Sequence, residues 1–343
     1  MARLWIGSYG DTITVVTLDH DTGEYRLETA ASTPNPSFLA YAPRRRVLYA
    51  VNERSPGTIS AFAVRGDGRL TPLGVRSSHG DGPCHLHVHP SGRYLLATNY
   101  GSGSVAVYPM RDDGSLDEAS DVVRHSGSGP DPDRQRAPHP HQVQTDPSGR
   151  YVLVVDLGAD RVVSYRLVDG RLQRAAEWRG EPGAGPRHLA FHPSGRLAFI
   201  SNELASSMTV CAYADGTLTP VQTLPAAPQT DVRNYPSEVL VSGDGRCVYL
   251  ANRGHDSIAR FVVDAGRLVS RDTVSCSGAW PRHISLSPDG RFLYAANQTS
   301  GDVAVLPRHP DGSLAAPVAR IPVAHPTMVL PMTGAMPEPS RSG

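Results

Sequence analysis

The sequence predicts an all-β fold, a seven-bladed β-propeller built from four-stranded blades. Three observations carry this reading. One unit recurs along nearly the whole chain, each copy divides into four short strands, and the chain starts part-way through a unit and ends with the missing piece. A repeat of this kind marks stacked supersecondary units, each too small to bury its apolar faces alone.

The clearest copies run from Pro83-Cys84-His85-Leu86 to Asn99, from Pro186-Arg187-His188 to Asn202, and from Pro281-Arg282-His283 to Asn297. Weaker copies run from Pro36 to Asn52, Pro140 to Asp156 and Pro236 to Asn252. A marker at the end of the second strand falls at Ser8, Asn52, Asn99, Asp156, Asn202, Asn252 and Asn297, so neighbours are 44, 47, 57, 46, 50 and 45 residues apart. Four-stranded propeller blades span roughly 40–50 residues. The Trp-Asp and kelch signatures of other propellers are absent.

The unit opening at Gly185 shows the pattern. Its first strand is expected over Arg187–His192, its second over Leu197–Asn202, its third over Met208–Tyr213 and its fourth over Leu218–Thr223. Pro193-Ser194-Gly195-Arg196 and Ala214-Asp215-Gly216 supply the reversals, since Gly, Pro, Ser and Asp favour turns. The inner two strands are apolar and β-branched, as stacked sheets require.

The chain enters on second, third and fourth strands, at Arg3–Gly7, Asp11–Leu18 and Tyr25–Thr29. It ends on a lone first strand at His325–Leu330. Joining these ends makes the seventh blade and removes an exposed sheet edge. An open solenoid of the same repeats would need distinct caps instead. The propeller is expected over residues 1–333, and the Pro/Ser-rich segment 334–343 is expected to be a disordered tail.

Composition narrows the function. Of 343 residues, 39% are hydrophobic and 19% charged, as in globular proteins rather than disordered ones. The net charge is zero, so bulk charge favours neither nucleic acid nor anionic membrane as partner. No apolar run could span a bilayer, and the first residues lack the pattern of a signal peptide. Cys84, Cys211, Cys247 and Cys276 have no metal-ligand spacing. They read as reduced thiols of a cytoplasmic protein, three of them within strands. Nothing in the sequence sets an oligomeric state.

The repeat also maps a site. First and second strands are antiparallel, so the start of one and the end of the other reach the same face of the disc, at the mouth of the central channel. After the first-strand proline, the blades place Ser37, Cys84, His141, Arg187, Ser237, Arg282 and Thr327. The next position holds Phe38, His85, Gln142, His188, Glu238, His283 and Met328, and the one after is apolar throughout. The recurring Asn marker suits a structural role, because Asn side chains satisfy turn backbone. The residue after it varies: Tyr9, Glu53, Tyr100, Leu157, Glu203, Arg253 and Gln298.

These columns converge on His141, Arg187, Glu203, Arg253 and Arg282, with His85, His188, His283 and His139 alongside as substrate contacts. Arginines at a channel mouth suit an anionic ligand, since guanidinium binds phosphate or carboxylate bidentately. His141 is a reasonable general base. The alternative for each is structural: inter-blade hydrogen bonding for the histidines, ion pairing for Arg187 and Arg282, and a salt bridge from Glu203 to an arginine. The insertion Ser126–Ala137 accounts for the longest spacing and enters on the same face. It is expected to act as a flap, with Arg134 and Arg136 as further anion contacts. No cofactor and no catalytic metal are expected, because the arginines would repel a cation.

Several of these segments resemble one family. Pro138-His139-Pro140-His141, Asp156-Leu157-Gly158-Ala159-Asp160-Arg161-Val162, Gly185-Pro186-Arg187-His188-Leu189, Ser201-Asn202-Glu203-Leu204 and Ala251-Asn252-Arg253-Gly254-His255-Asp256 are similar to the lactonase group of bacterial 6-phosphogluconolactonases and fungal 3-carboxymuconate-lactonizing enzymes. The resemblance covers essentially the whole chain. It implies a seven-bladed propeller and metal-independent chemistry on a small anionic lactone. It also implies catalytic roles for His141, Arg187, Glu203 and Arg253. The expected activity is hydrolysis of a sugar lactone, 6-phosphogluconolactone first. The alternatives are a muconate-type cycloisomerase and a non-catalytic propeller that binds a metabolite or a protein.

Overall fold

The structure, a computed structural model, describes residues 1–66 and 68–332. The segment expected to be a tail lies outside the described residues. Among those described there are seven four-stranded sheets and no helix. The first strands of the seven blades are Pro326–Pro331, Leu39–Ala42, Pro83–Val88, Pro140–Thr145, Pro186–Phe191, Tyr235–Val241 and Pro281–Leu286. Each lies against the next, and the last returns to the first, so they form a closed ring around the axis.

The expected split blade is present. Pro326–Pro331 pairs antiparallel with Ala2–Ser8, with Ile6 opposite Val329 and Trp5 opposite Leu330. The remaining strands of that blade are Thr12–Leu18 and Tyr25–Ser32. In the blade read as the template, the strands are Pro186–Phe191, Leu197–Asn202, Ser207–Ala214 and Thr217–Pro225, within two residues of the expected limits at every end.

The core is divided among the blade interfaces. Seven apolar clusters fill the seven gaps between neighbouring sheets. One of them joins Tyr151, Leu153 and Val155 of the fourth blade to Leu189, Ala198 and Ile200 of the fifth. Burying such a side chain fully stabilises by roughly 1.5–3 kcal/mol, so each sheet depends on both its neighbours. All four cysteines are buried and unpaired; three lie in strands, and Cys276 follows the strand Arg267–Ser275.

The Asn marker is structural, as its recurrence suggested. Asn99 Nδ2 donates to Ser78 O and Ser104 Oγ, and Asn252 Nδ2 donates to Ala226 O. Each therefore ties the segment arriving from the previous blade to its own sheet. Asp156 does the same with a charge: Oδ1 accepts from the His139 amide, and Oδ2 meets His125 Nδ1 at 2.7 Å.

Candidate active site

The site is built on a local irregularity of the first strands. In the third blade Pro83 pairs with Asn99 and His85 with Thr98, which leaves Cys84 as an extra residue. The same shift places His141, Arg187 and Arg282 in β-bulges, and Thr327 in the split blade. A bulge breaks the in-and-out alternation of a strand and re-aims one side chain. Six of the seven residues of this column line one cavity at the channel mouth: Ser37, Cys84, His141, Arg187, Arg282 and Thr327. Ser237 does not, because its hydroxyl is buried and donates to Pro281 O at 2.6 Å.

Glu203 organises the arginines. Its Oε1 accepts from Arg134 Nη2 at 2.7 Å, and its Oε2 accepts from Arg253 Nη2 at 2.6 Å. Arg187 Nε approaches Oε2 to 3.3 Å. Burial opposes the charge on Glu203, but Arg253, Arg187 and Arg134 outweigh it and hold the carboxyl down at about 2. These contacts are the salt bridge to an arginine that was the structural alternative for Glu203.

The three arginines are not equivalent. Arg253 is committed to the frame, with Nε on Tyr235 O and Nη2 on Glu203 and Pro236 O, while Trp280 covers its guanidinium. Arg187 is 2% exposed, yet its Nε and Nη1 have no hydrogen-bond partner among the described residues. Burial first, and then Arg253 and Arg282, depress Arg187 to about 9, so it remains charged at neutral pH. A buried guanidinium with unused donors is costly unless an anion completes it.

His141 lines the same cavity from the neighbouring blade, in a chain of rings. Its Nδ1 lies 3.1 Å from His188 Nε2, and His188 Nδ1 lies 2.9 Å from Glu238 Oε2. Nε2 of His141 has no hydrogen bond to a described residue. Burial, with Arg187, His188, Arg282 and Arg253, keeps His141 well below its ordinary value, and hence neutral. Phe38, which lines the same cavity, meets His85, His188 and His283, with ring centroids 4.1, 6.4 and 6.0 Å apart.

The opposite wall carries Arg282 and a second carboxylate. Arg282 lies over the Tyr9 ring, 5.1 Å from its centroid. Tyr9 OH donates to Glu53 Oε1 at 2.9 Å, and Ser37 Oγ donates to Oε2. Both donors are hydroxyls, and Glu53 lines the same cavity.

Placement of the expected residues is uneven. His141, Arg187, Arg282, His188 and His283 line the cavity. Glu203 and Arg253 form the frame behind them. His85 packs against the rings of Phe38 and His188. His139 does not reach the cavity: its Nδ1 lies 2.7 Å from Tyr100 O, and its ring stacks on Tyr100 at 4.3 Å. The insertion at 126–137 is latched on the site through Gln135, whose buried Nε2 donates to Leu157 O and Asp160 Oδ1. Its Arg134 reaches Glu203, but Arg136 is exposed and turned to Pro132 O and Asp133. The structure therefore does not bear out Arg136 as an anion contact.

Glu238, Glu53, Tyr9 and Tyr100 were not singled out from the sequence. All four stand in the two variable columns, where a carboxylate or phenol at a channel mouth was the available signal. Among the described residues, no group of three or more His, Cys, Asp or Glu side chains is arranged to hold a metal ion.

The family model of the lactonase, seven-bladed β-propeller type matches residues 3–331. The chain belongs to this family. Its place among lactone-hydrolysing enzymes agrees with the resemblance read in the sequence. The lactonase is 34% identical to the 6-phosphogluconolactonase of Bacillus subtilis over 338 residues, covering 95% of this chain and 97% of that protein. It is 28% identical to the 6-phosphogluconolactonase of Formosa agariphila, over 89% of this chain and 92% of that one. Among solved structures, the periplasmic gluconolactonase of Pseudomonas aeruginosa superposes with a TM-score of 0.92 at 34% identity, covering 98% and 99% of the two chains. No helix among the described residues is long and apolar enough to cross a membrane.

Proposed function

We propose that this lactonase hydrolyses a small anionic sugar lactone, 6-phospho-D-glucono-1,5-lactone, to the open-chain acid. The observation that carries the reading is the buried Arg187, with unused donors, lining one cavity with His141, whose ring is hydrogen-bonded through Nδ1. The relatives named above supply the choice of lactone. Four buried, unpaired cysteines are consistent with a cytoplasmic setting.

In this mechanism Arg282 and Arg187 bind the anion, and Arg187 also faces the carbonyl oxygen. Water gives a proton to His141 Nε2 as its oxygen bonds to the carbonyl carbon. The oxyanion is stabilised electrostatically by guanidinium. The ring C–O bond then breaks, and the proton on His141 passes to the departing ring oxygen. The new carboxylic acid ionises to solvent. His141 is a weak base in the empty site because burial and the arginines disfavour its cation. An anionic substrate offsets the arginines and raises its proton affinity as the complex forms.

The wall opposite favours a sugar over a muconate. Glu53 accepts from the hydroxyls of Tyr9 and Ser37, and its oxygens can likewise accept from a hydroxyl of a polyol. The test is the hydrolysis of freshly prepared 6-phosphogluconolactone, read against its spontaneous rate. Acceleration that is lost in His141→Ala, with anion binding retained, supports the reading. No acceleration, with turnover of a carboxymuconate lactone instead, overturns it in favour of cycloisomerisation.

A further inference from the structure

We propose that Glu238 and His188 form a two-step positioning relay that fixes which ring nitrogen of His141 carries its proton. The inference rests on His141 being the base of the lactonase reaction, and it assigns work to two residues which that reaction does not itself use. The three groups come from successive first strands, in the fourth, fifth and sixth blades. All three are buried: His141, His188 and Glu238 are 7%, 2% and 9% exposed.

The chemistry of the partners sets the direction. A carboxylate can only accept hydrogen bonds. Glu238 Oε2, 2.9 Å from His188 Nδ1, therefore places the His188 proton on Nδ1. A neutral imidazole has one protonated nitrogen, so His188 Nε2 is left bare and accepts. The group 3.1 Å away is His141 Nδ1, which must then be the donor. The remaining nitrogen, His141 Nε2, keeps its lone pair and is the one left for the cavity. Had Glu238 been neutral and donating, each step would reverse, and His141 would present an N–H that cannot act as a base.

The surroundings hold the relay to one arrangement. His283 Nε2 stands 3.7 Å from the same Glu238 oxygen, beyond hydrogen-bonding distance. Burial raises the Glu238 carboxyl above its ordinary value, and the Arg187 guanidinium is among the groups that oppose that rise. The rings of Phe38 and His85 lie against His188, with centroids 6.4 and 5.4 Å away, and limit its rotation. An orienting partner that sets a histidine tautomer is the role of the third member in a nucleophile–base–acid triad. Here a second imidazole is interposed between acid and base.

The experiment is ¹⁵N NMR of histidine-labelled full-length protein at neutral pH, with His141 and His188 assigned by loss of their signals in single variants. Both are expected to be neutral and protonated at Nδ1. Glu238→Gln keeps the shape but can either donate or accept, so His141 should become a mixture of tautomers. His188→Phe removes both ring nitrogens and should do the same. In both variants kcat should fall roughly 10²-fold with KM within about twofold, because the base and not the anion clamp is affected. A wild-type His141 protonated at Nε2 overturns the relay, and so does an unchanged tautomer and kcat in both variants. Should the wild type fail to hydrolyse the lactone, the function falls, while the tautomer measurement still decides the relay.

Discussion

Arg187 stands 3.3 Å from Glu203 Oε2 and yet donates no hydrogen bond to it. The carboxylate is already used by Arg134 and Arg253, so Arg187 receives charge compensation without losing its donors. The outcome is a cation held in place but still available.

Arg187→Lys tests that availability. Lysine keeps the charge and loses the planar fork that grips an oxyanion or phosphate. We expect kcat/KM for the lactone to fall roughly 10²-fold, as for loss of one oxyanion donor, while thermal stability changes little. Steady-state kinetics beside a melting curve checks this.

Glu203→Gln should act mainly on stability. It leaves Arg134, Arg187 and Arg253 facing one another without their shared anion. Removing one partner of a buried pair costs about 3–5 kcal/mol, measurable by urea unfolding. The pH dependence has a definite sign. The Glu203 carboxyl is lowered from 4.5 to about 2, so its contribution is complete above pH 4.5 and is lost as pH falls towards 2. The glutamine variant should lack that part of the acid transition.

The buried histidines predict a second, milder acid effect. His85, His141 and His188 lie well below 6.5, and His283 is lowered to about 4, burial being the first cause in each. Between pH 6.5 and 4 the unfolded chain binds protons that the folded one refuses. Stability should therefore decline as pH falls through that window. His283 alone accounts for up to about 3 kcal/mol. Unfolding free energy against pH for the wild type and His283→Gln checks the slope, which the variant should flatten.

Gln135→Ala should release the insertion at 126–137. Its buried amide holds Leu157 O and Asp160 Oδ1, and Arg134, one residue before it, reaches Glu203. Hydrogen exchange should rise across Asp131–Ala137 with the blades unaffected. KM should rise several-fold, and the buried acceptors left by Gln135 should lower stability by about 1–3 kcal/mol.

Much of this was legible in the sequence for physical reasons. The Asn markers recur because every blade must tie down the segment arriving from the one before, so the blade count follows from Asn52, Asn99 and Asn297. The split blade follows from a chain that opens at Arg3 on a second strand. The columns brought His141 and Arg187 to one rim because antiparallel strands return to the same face. What could not be read was partner choice. Glu203 and Glu238 are both carboxylates at the mouth, but only inter-blade distances assign one to arginines and the other to His188. The bulges were also hidden, since one extra residue per strand leaves composition and periodicity almost unchanged. Arg136 was misplaced because position in a loop does not fix the direction of a long side chain.

Those bulges bear on how such a ring can diversify. A residue at Cys84, His141, Arg187 or Arg282 is set apart from the regular strand pairing, so replacing it need not disturb the inter-sheet packing of the apolar positions that follow. The scaffold thereby separates the cost of staying folded from the identity of the groups at the rim. Related chains can exchange acids, bases and hydroxyls there, one sheet at a time, and acquire different reactivities on an unchanged frame.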